Sequence, residues 1–144
     1  MNDITNESEK SAQKIASVMY KRDIAAQKLG ISLEKIEEGY AELTMTVKDW
    51  MIQGHSVCHG GFIFSLADTA MAYASNSRNN VSVAMSANID FLRPAELDET
   101  LLAVATEGNQ TRNTGMYDVK VYGSSRRLIC HFRGRTFNTR PDIV

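Results

Sequence analysis

Residues 59–76, HGGFIFSLADTAMAYASN, contain the most apolar stretch of the chain. Between Phe62 and Ala74 the apolar side chains leave almost no polar face, and a helix that is apolar all round is usually buried all round. The stretch therefore predicts a central helix that runs from about His59 to about Asn76 and is enclosed by the rest of the domain.

Alternating patterns on both sides of this helix predict β-strands. From Tyr40 to Val47 apolar and polar residues alternate, which indicates a half-buried strand. After the helix come four strand-like segments, which are separated by short turn-forming stretches: residues 81–91, 97–107, 115–122 and 127–137. Because their connections are short, we expect these strands to pair antiparallel.

The first part of the chain predicts an amphipathic lead helix over residues 8–28, which ends at Leu29 and Gly30. The predicted order is helix, one or two strands, central helix and four strands, which indicates one α+β domain. We assign residues 1–30 to an N-terminal helical segment and residues 31–140 to the main domain. A long antiparallel sheet wrapped around one central helix is the hotdog fold, although periodicity alone also allows other sheet-on-helix arrangements.

Composition excludes several classes of protein. The 144 residues suit a single domain, and an apolar fraction of 43% with a charged fraction of 23% is ordinary for a globular protein. A formal net charge of -1 lacks the excess of Lys and Arg that nucleic-acid binding requires. Ser65, Asp68 and Thr69 interrupt the apolar stretch, so no membrane-spanning segment is predicted.

The cysteines and the N-terminus point to the cytoplasm. Cys58 and Cys130 are too few for a disulfide framework, and their spacing from the three histidines matches no metal site. The first residues, MNDITNESEK, are polar and acidic, which is unlike a signal peptide. We therefore expect a cytoplasmic protein without a bound metal.

Asp68 is the only formal charge between His59 and Arg78, inside the apolar helix. Burying an unpaired carboxylate costs several kcal/mol or raises its pKa, so its presence there needs a reason. One reading is structural, with Asp68 paired to an arginine or capping a nearby backbone group. The other reading is that Asp68 is a catalytic carboxylate.

The start of the same helix, His59-Gly60-Gly61, offers backbone N–H groups to a ligand. These groups have no acceptor inside the helix and lie at the positive end of its dipole, while the two glycines allow a substrate carbonyl to approach. Gly60 lies eight residues before Asp68, roughly 12 Å along a helix, so one carbonyl cannot easily touch both. If both act on the same carbon, they come from two subunits, which predicts a dimer.

The string CHGGFIFSLADTA, followed by ANIDFLRPA and TGMYDVKVY, closely resembles the PaaI-type thioesterases of phenylacetic acid degradation over roughly residues 39–137. The resemblance implies a hotdog fold, usually a homotetramer, that hydrolyses acyl-coenzyme A, with phenylacetyl-CoA or its ring-hydroxylated forms favoured. It implies no metal or prosthetic group, since CoA is part of the substrate. The family's motif places its carbonyl-polarising amide at Gly60, its histidine at His59 and its carboxylate at Asp68.

One position departs from this pattern. The resembling enzymes have an Asn six residues before the motif's histidine, where this chain has Gln53. Glutamine keeps the amide donor and acceptor, but its extra methylene allows the same hydrogen bond only if the loop or side chain adjusts. We expect activity to be retained with altered efficiency.

Further residues are predicted to bind substrate. Arginine suits the phosphates of CoA, and three candidates are Arg93, Arg133 and Arg135, the last two on the non-core face of their strand. Gly61 at the helix start is also predicted to contact the substrate. Apolar residues near the reacting carbonyl are expected to line an acyl pocket, although helical spacing also suits them to the core: Met51, Phe62, Ile63 and Leu66. Ser65 is interpreted as a helix serine bonded to backbone rather than a nucleophile.

Two other functions remain open at this point. One is a hotdog module that binds acyl-CoA without turnover, which the altered residue Gln53 would allow but Asp68 disfavours. The other is a hotdog dehydratase or hydratase, which would act at acyl carbons two and three. The role of Asp68 as general base or as nucleophile is also open.

Overall fold

The computed structural model describes residues 2–139 and 141–144. Residue 1, which begins the predicted N-terminal segment, and residue 140, which ends the predicted main domain, lie outside the described residues. The described elements are α1 (Asn2–Arg22), α2 (Ile24–Leu29), β1 (Ser32–Glu37), β2 (Tyr40–Thr46), α3 (Gly60–Asn76), β3 (Ser82–Phe91), β4 (Thr100–Gln110), β5 (Thr114–Tyr122) and β6 (Leu128–Asn138). This is the predicted order, with two strands before the central helix. None of the helices in this part of the chain has the length and apolarity to cross a bilayer.

The six strands form one antiparallel sheet in the order β1-β2-β4-β5-β6-β3, and α3 packs against one face of it. The core lies between them and contains fully buried side chains from the helix and from the central strands, among them Leu66, Tyr73, Val119 and Phe132. The predicted hotdog fold is confirmed. Its strand order leaves β1 and β3 as the two edges of the sheet.

The N-terminal region differs from the prediction in two ways. The single lead helix is two helices, because the Asp23 carboxylate accepts a hydrogen bond from the Ala26 N–H (3.0 Å) and starts α2, which ends at Gly30 with a positive φ of 70°. Strand β1, which had no predicted bounds, carries Glu34 and Lys35 and has a register shift between Leu33 and Lys35. These charges and this irregularity disrupt the alternation that identifies a strand.

The expectation that the central helix is buried all round is wrong within the single chain. One stripe of α3 is only half-buried, while Gly61 at its start is exposed. The stripe consists of Ser65, Asp68, Thr69 and Ala72. A helix this apolar that leaves one face open suggests that something outside the chain covers that face.

Edge strand β3 is also open. Its burial pattern is exposed at nearly every position, and it presents large apolar side chains at Val83, Met85 and Phe91. Native proteins usually protect an edge strand with charges, prolines or a covering element. β3 has one charged residue, Asp90 near its end, and no proline, and an edge this apolar is typical of a strand that pairs with another chain.

Candidate active site

The turn into α3 is fixed by backbone hydrogen bonds. The Cys58 N–H donates to the Ala95 carbonyl (2.8 Å) and the His59 N–H donates to the Met51 carbonyl (2.7 Å). His59 has an extended backbone and acts as the N-cap, since its Nδ1 accepts a hydrogen bond from the Gly61 N–H at 3.0 Å. The side chain of His59 therefore orients the helix start, which is one of the two roles considered for it.

This cap leaves the Gly60 amide free. The Gly61 N–H is taken by His59, whereas the Gly60 N–H has no acceptor among the residues that the structure describes. Gly60 is the first residue of α3, a helix of 17 residues, so its N–H lies at the positive end of the helix dipole. Such a donor can stabilise negative charge that develops on a substrate oxygen.

A cavity of about 360 Å³ opens beside Gly60. Its wall is largely apolar and includes Ile63, one of the residues predicted for an acyl pocket. Two polar side chains, those of Gln53 and Arg93, also line it. Concave, mainly apolar sites with a few polar groups are typical of small-molecule binding.

Gln53 lies at the predicted place, but its side chain is partly engaged by its own loop. Its Oε1 accepts a short hydrogen bond from the His55 N–H, and its backbone N–H donates to the Val57 carbonyl at 2.8 Å. The carboxamide therefore lines the cavity while its oxygen already accepts one hydrogen bond from the loop. Its NH₂ group has no hydrogen-bond partner among the described residues and is free to donate.

Asp68 has no ion pair or hydrogen bond with any described residue, and the structural reading, in which it pairs or caps, is wrong within this chain. Burial raises the pKa of its carboxyl above 3.8. Four residues earlier on the same helix face, the Phe64 ring packs edge-on against Phe132 (5.4 Å between centroids). Phe132 belongs to β6, where it pairs with Ile89 of edge strand β3 on one side and with Val119 of β5 on the other, so this face of α3 lies over the strand next to the open edge.

The serine and threonine hydroxyl groups of α3 donate to backbone carbonyls of the same helix. Ser65 Oγ donates to the Gly61 carbonyl (2.9 Å) and Thr69 Oγ1 donates to the Ser65 carbonyl (2.6 Å). Ser65 is thus bonded to backbone as predicted, with no histidine beside it to activate it. In the described part of the chain, no group of three His, Cys, Asp or Glu side chains could hold a metal ion.

The predicted arginines separate into two groups. Arg93 lies at the cavity, where its Nη1 donates to the Leu128 carbonyl at 2.9 Å and its other donors have no partner among the described residues. Arg133 and Arg135 lie on the sheet face opposite α3, because the intervening Gly134 contacts Met71 of that helix. Arg133 Nε pairs there with Asp118 Oδ1 at 3.0 Å, so the structure does not bring these two arginines together with Gly60 in one chain.

The predicted acyl-pocket residues also divide. Met51 and Leu66 are fully buried core residues, and only Ile63 reaches the cavity. The Phe62 ring packs edge-on against Trp50, with 5.3 Å between centroids, and does not line the cavity. Sequence reasoning missed the other lining residues, which are Val57, Cys58, Phe91, Leu92 and Pro94. The string DFLRP contained the signal for three of them, although only its arginine was singled out.

Comparisons with known proteins identify the family of the chain. A family model described as thioesterase superfamily matches residues 55–130. Acyl-coenzyme A thioesterase PaaI of Escherichia coli is 45% identical over 129 residues, which cover 90% of this chain and 92% of that protein.

Solved structures agree as well. The structure of E. coli PaaI, from the phenylacetic acid degradation operon, has a TM-score of 0.92 and 41% identity and covers 93% of this chain and 97% of that chain. A Streptococcus mutans protein bound to acetyl CoA has a TM-score of 0.75 and 25% identity and covers 78% of this chain and 90% of that chain. The chain belongs to the thioesterase superfamily and, within it, to the PaaI-type hotdog thioesterases.

Proposed function

We propose that the protein hydrolyses acyl-coenzyme A thioesters to a free carboxylic acid and CoA. The observation that carries this proposal is the unpaired Gly60 N–H, which lies at the start of α3 beside the cavity. A thioester carbonyl placed against this donor is polarised, and the tetrahedral oxyanion formed on attack is stabilised further. The kinship with E. coli PaaI and the acetyl CoA bound to the S. mutans protein support CoA thioesters as the substrate class.

Asp68 supplies the other half of the chemistry in this proposal. As a general base it takes a proton from water, whose oxygen adds to the carbonyl carbon; as a nucleophile it forms an acyl-aspartyl anhydride that water then cleaves. In both routes the carbon–sulfur bond breaks and CoA leaves as a thiol. His59 and Gln53 position the helix start and the substrate. No cofactor takes part, so we expect activity to survive EDTA.

We propose further that Asp68 acts on the substrate held by Gly60 of a second subunit. The half-buried stripe of α3, which contains Asp68, and the apolar edge strand β3 are both open, and Phe64, one turn before Asp68, packs on β6, the strand next to that edge. Pairing two β3 strands about a two-fold axis would cover both surfaces in a homodimer. A homotetramer, which the family resemblance implies, stays a prediction, as does the cytoplasmic location.

The CoA end and the acyl end of the substrate are assigned to binding residues on different observations. Arg93 lies at the cavity with free donors and is proposed to bind a CoA phosphate. Arg133 and Arg135 stay predictions for the nucleotide, which would have to cross to the outer face of the sheet to reach them. For the acyl group we propose phenylacetyl or hydroxyphenylacetyl, since the wall of the cavity is mainly apolar and the E. coli relative comes from a phenylacetic acid degradation operon.

One observation favours a second candidate, a module that binds acyl-CoA without turnover. The Gln53 oxygen is held by its own loop, so the side chain is less free to assist catalysis. The unpaired Asp68 favours hydrolysis, because a module that only binds gains nothing from a half-buried carboxylate with a raised pKa.

Thiol release from an acyl-CoA panel tests the proposal. Wild type is compared with Asp68→Asn and with Asp98→Asn, a matched change at an exposed carboxylate outside the site. We expect wild type and Asp98→Asn to release thiol and Asp68→Asn to lose at least about a hundredfold in kcat. Binding without thiol release in wild type would support the binding module instead. Conversion at acyl carbons two and three, seen by product analysis, would support a dehydratase or hydratase.

A further inference from the structure

We infer that the Phe91 side chain is the specificity-determining contact for the acyl group. It forms the wall of the cavity next to the carbonyl-polarising amide and favours aromatic acyl groups. This inference rests on the proposed acyl-CoA hydrolysis and adds a residue that decides which acyl group is accepted.

The Phe91 ring lies directly on Gly60. A Cβ atom built on Gly60 would lie 3.0 Å from Phe91 Cζ and 3.1 Å from Cε1, which is tighter than ordinary van der Waals contact. A methyl group at this position would require the ring to move by a few tenths of an ångström. An acyl chain whose carbonyl reaches the Gly60 N–H must therefore pass beside this ring.

The backbone that carries Phe91 is held firmly. Phe91 is the last residue of β3 and pairs with Cys130 of β6. The next two N–H groups, those of Leu92 and Arg93, both donate to the Ile129 carbonyl, at 2.8 and 3.2 Å. The point at which the side chain leaves the backbone is therefore fixed beside the cavity, which a specificity residue requires.

The ring itself is not core. Phe91 is 52% exposed although it is a large apolar side chain, and it faces a cavity whose other walls include Val57, Cys58 and Ile63. An exposed aromatic ring in such a wall gains by contact with an apolar ligand. Aromatic groups in contact also prefer edge-to-face or offset geometry, which adds selectivity for a phenyl ring over an alkyl chain.

The other aromatic pair near the helix start is less suitable. Trp50 and the half-buried Phe62 pack on each other, Phe62 also packs edge-on against His59, and neither lines the cavity. Phe91 is thus the aromatic side chain that combines contact with Gly60, a place in the cavity wall and an exposed ring.

The test measures the ratio of kcat/KM for phenylacetyl-CoA to kcat/KM for hexanoyl-CoA. Phe91→Leu keeps an apolar side chain but removes the aromatic ring, Phe91→Met does the same with a flexible chain, and Phe91→Tyr keeps the ring. Phe137→Leu is the matched control, because Phe137 is an aromatic residue of β6 with similar exposure (44%). Phe137 pairs with Val83, which lies at the opposite end of β3 from Phe91.

We expect the ratio to fall about five- to tenfold in Phe91→Leu and Phe91→Met, and to stay near the wild-type value in Phe91→Tyr and Phe137→Leu. An unchanged ratio in both Phe91→Leu and Phe91→Met, or equal losses on both substrates, would overturn the inference while leaving the hydrolysis intact. Absence of thiol release by wild type from every substrate would instead overturn the proposed function, and the inference with it.

Discussion

Asp68 is a half-buried carboxylate without a partner among the described residues, and its burial affects the pH profile of activity. Burial disfavours the charged form and raises the pKa of Asp68 above 3.8. Both proposed routes need the ionised form, so activity is lost as pH falls through this raised pKa. We expect the acid limb of kcat/KM to lie at higher pH than the ordinary pKa of an aspartate, as measured by thiol release across pH.

An acid limb of kcat/KM at or below pH 3.8 would contradict the raised pKa of Asp68. Stability must be followed at each pH by circular dichroism, so that unfolding is not taken for titration of the active carboxylate.

Gly60 combines a free N–H with contact to the Phe91 ring, so adding one methyl group there should affect catalysis more than folding. In Gly60→Ala the new Cβ meets the far end of a half-exposed side chain, which can move. The displaced ring and the methyl group then hinder the substrate carbonyl. We expect kcat/KM to fall by about tenfold or more, with the Tm close to that of wild type.

Gly54→Ala is the control for this substitution, since a Cβ at Gly54 meets nothing within 4 Å. Equal activity of Gly60→Ala and wild type would mean that the Gly60 amide does not contact the reacting carbonyl.

At the scale of elements, a buried carboxylate connects the loops next to the site. The Glu99 side chain is 4% exposed and accepts hydrogen bonds from Arg127 Nη2 (3.1 Å) and from the Ser124 N–H (3.1 Å). It joins the turn between β5 and β6 to the loop that contains Ala95, whose carbonyl holds Cys58 before the active-site turn. Stability and site geometry are therefore coupled through Glu99.

Replacing Glu99 by Gln should destabilise the protein in a pH-dependent way. Burial by itself would raise the pKa of Glu99, but hydrogen bonds from the Ser124 and Glu96 N–H groups and from Arg127 outweigh it and lower the pKa below 4.5. The Glu99 carboxylate therefore stabilises the folded protein at pH values above its ordinary pKa of 4.5. This contribution is lost as the pH falls through the lower pKa of the folded state. We expect urea unfolding at neutral pH to show a loss of about 2 kcal/mol in Glu99→Gln.

The same difference should shrink at a pH well below 4.5, where wild type is protonated too. A loss of equal size at both pH values would mean that the charge of Glu99 is not what stabilises these loops.

How well the elements could be predicted depended on how simple their local signals were. Helix α3 was predicted within a residue or two because its apolar run is continuous, whereas β1 was not delimited because its charges and register shift hide the alternation. The burial of α3 was wrong for a different reason. A sequence pattern reports that a face is apolar, and it does not report whether the same chain covers it.

The site shows the same division. Gly60, His59 and Asp68 could be proposed from the sequence because they belong to one local motif at the start of α3, and their catalytic roles stay predictions. Phe91, Leu92 and Pro94 were missed because they reach the cavity only through the pairing of β3 with β6, which no local pattern encodes. Arg133 and Arg135 were assigned correctly to the non-core strand face, but that face lies opposite the helix and its active-site turn.

At the scale of the whole molecule, the open edge of β3 predicts its behaviour in hydrogen exchange. Within the chain β3 pairs only with β6, and β1 pairs only with β2. If two β3 strands pair across a two-fold axis, the outward-facing amides of β3 should exchange slowly, while those of β1 exchange faster. Peptide-level exchange by mass spectrometry compares the two edges in the same sample.

Outward amides of β3 that exchange as fast as those of β1 would contradict pairing through this edge. Sedimentation equilibrium measures the mass of the assembly in solution, which should be at least twice the 16.0 kDa of one chain. An active monomer would contradict the shared site altogether.

The most direct test of the central claim is subunit complementation between Gly60→Val and Asp68→Asn. Each variant alone is expected to be inactive. In a hybrid dimer with shared sites, one site combines both defects, and the other combines an intact Gly60 with an intact Asp68 from the other chain. Random exchange should therefore restore about one quarter of the wild-type activity. No recovery, with hybrid dimers confirmed by native mass spectrometry, would contradict an active site formed by Gly60 and Asp68 of two subunits.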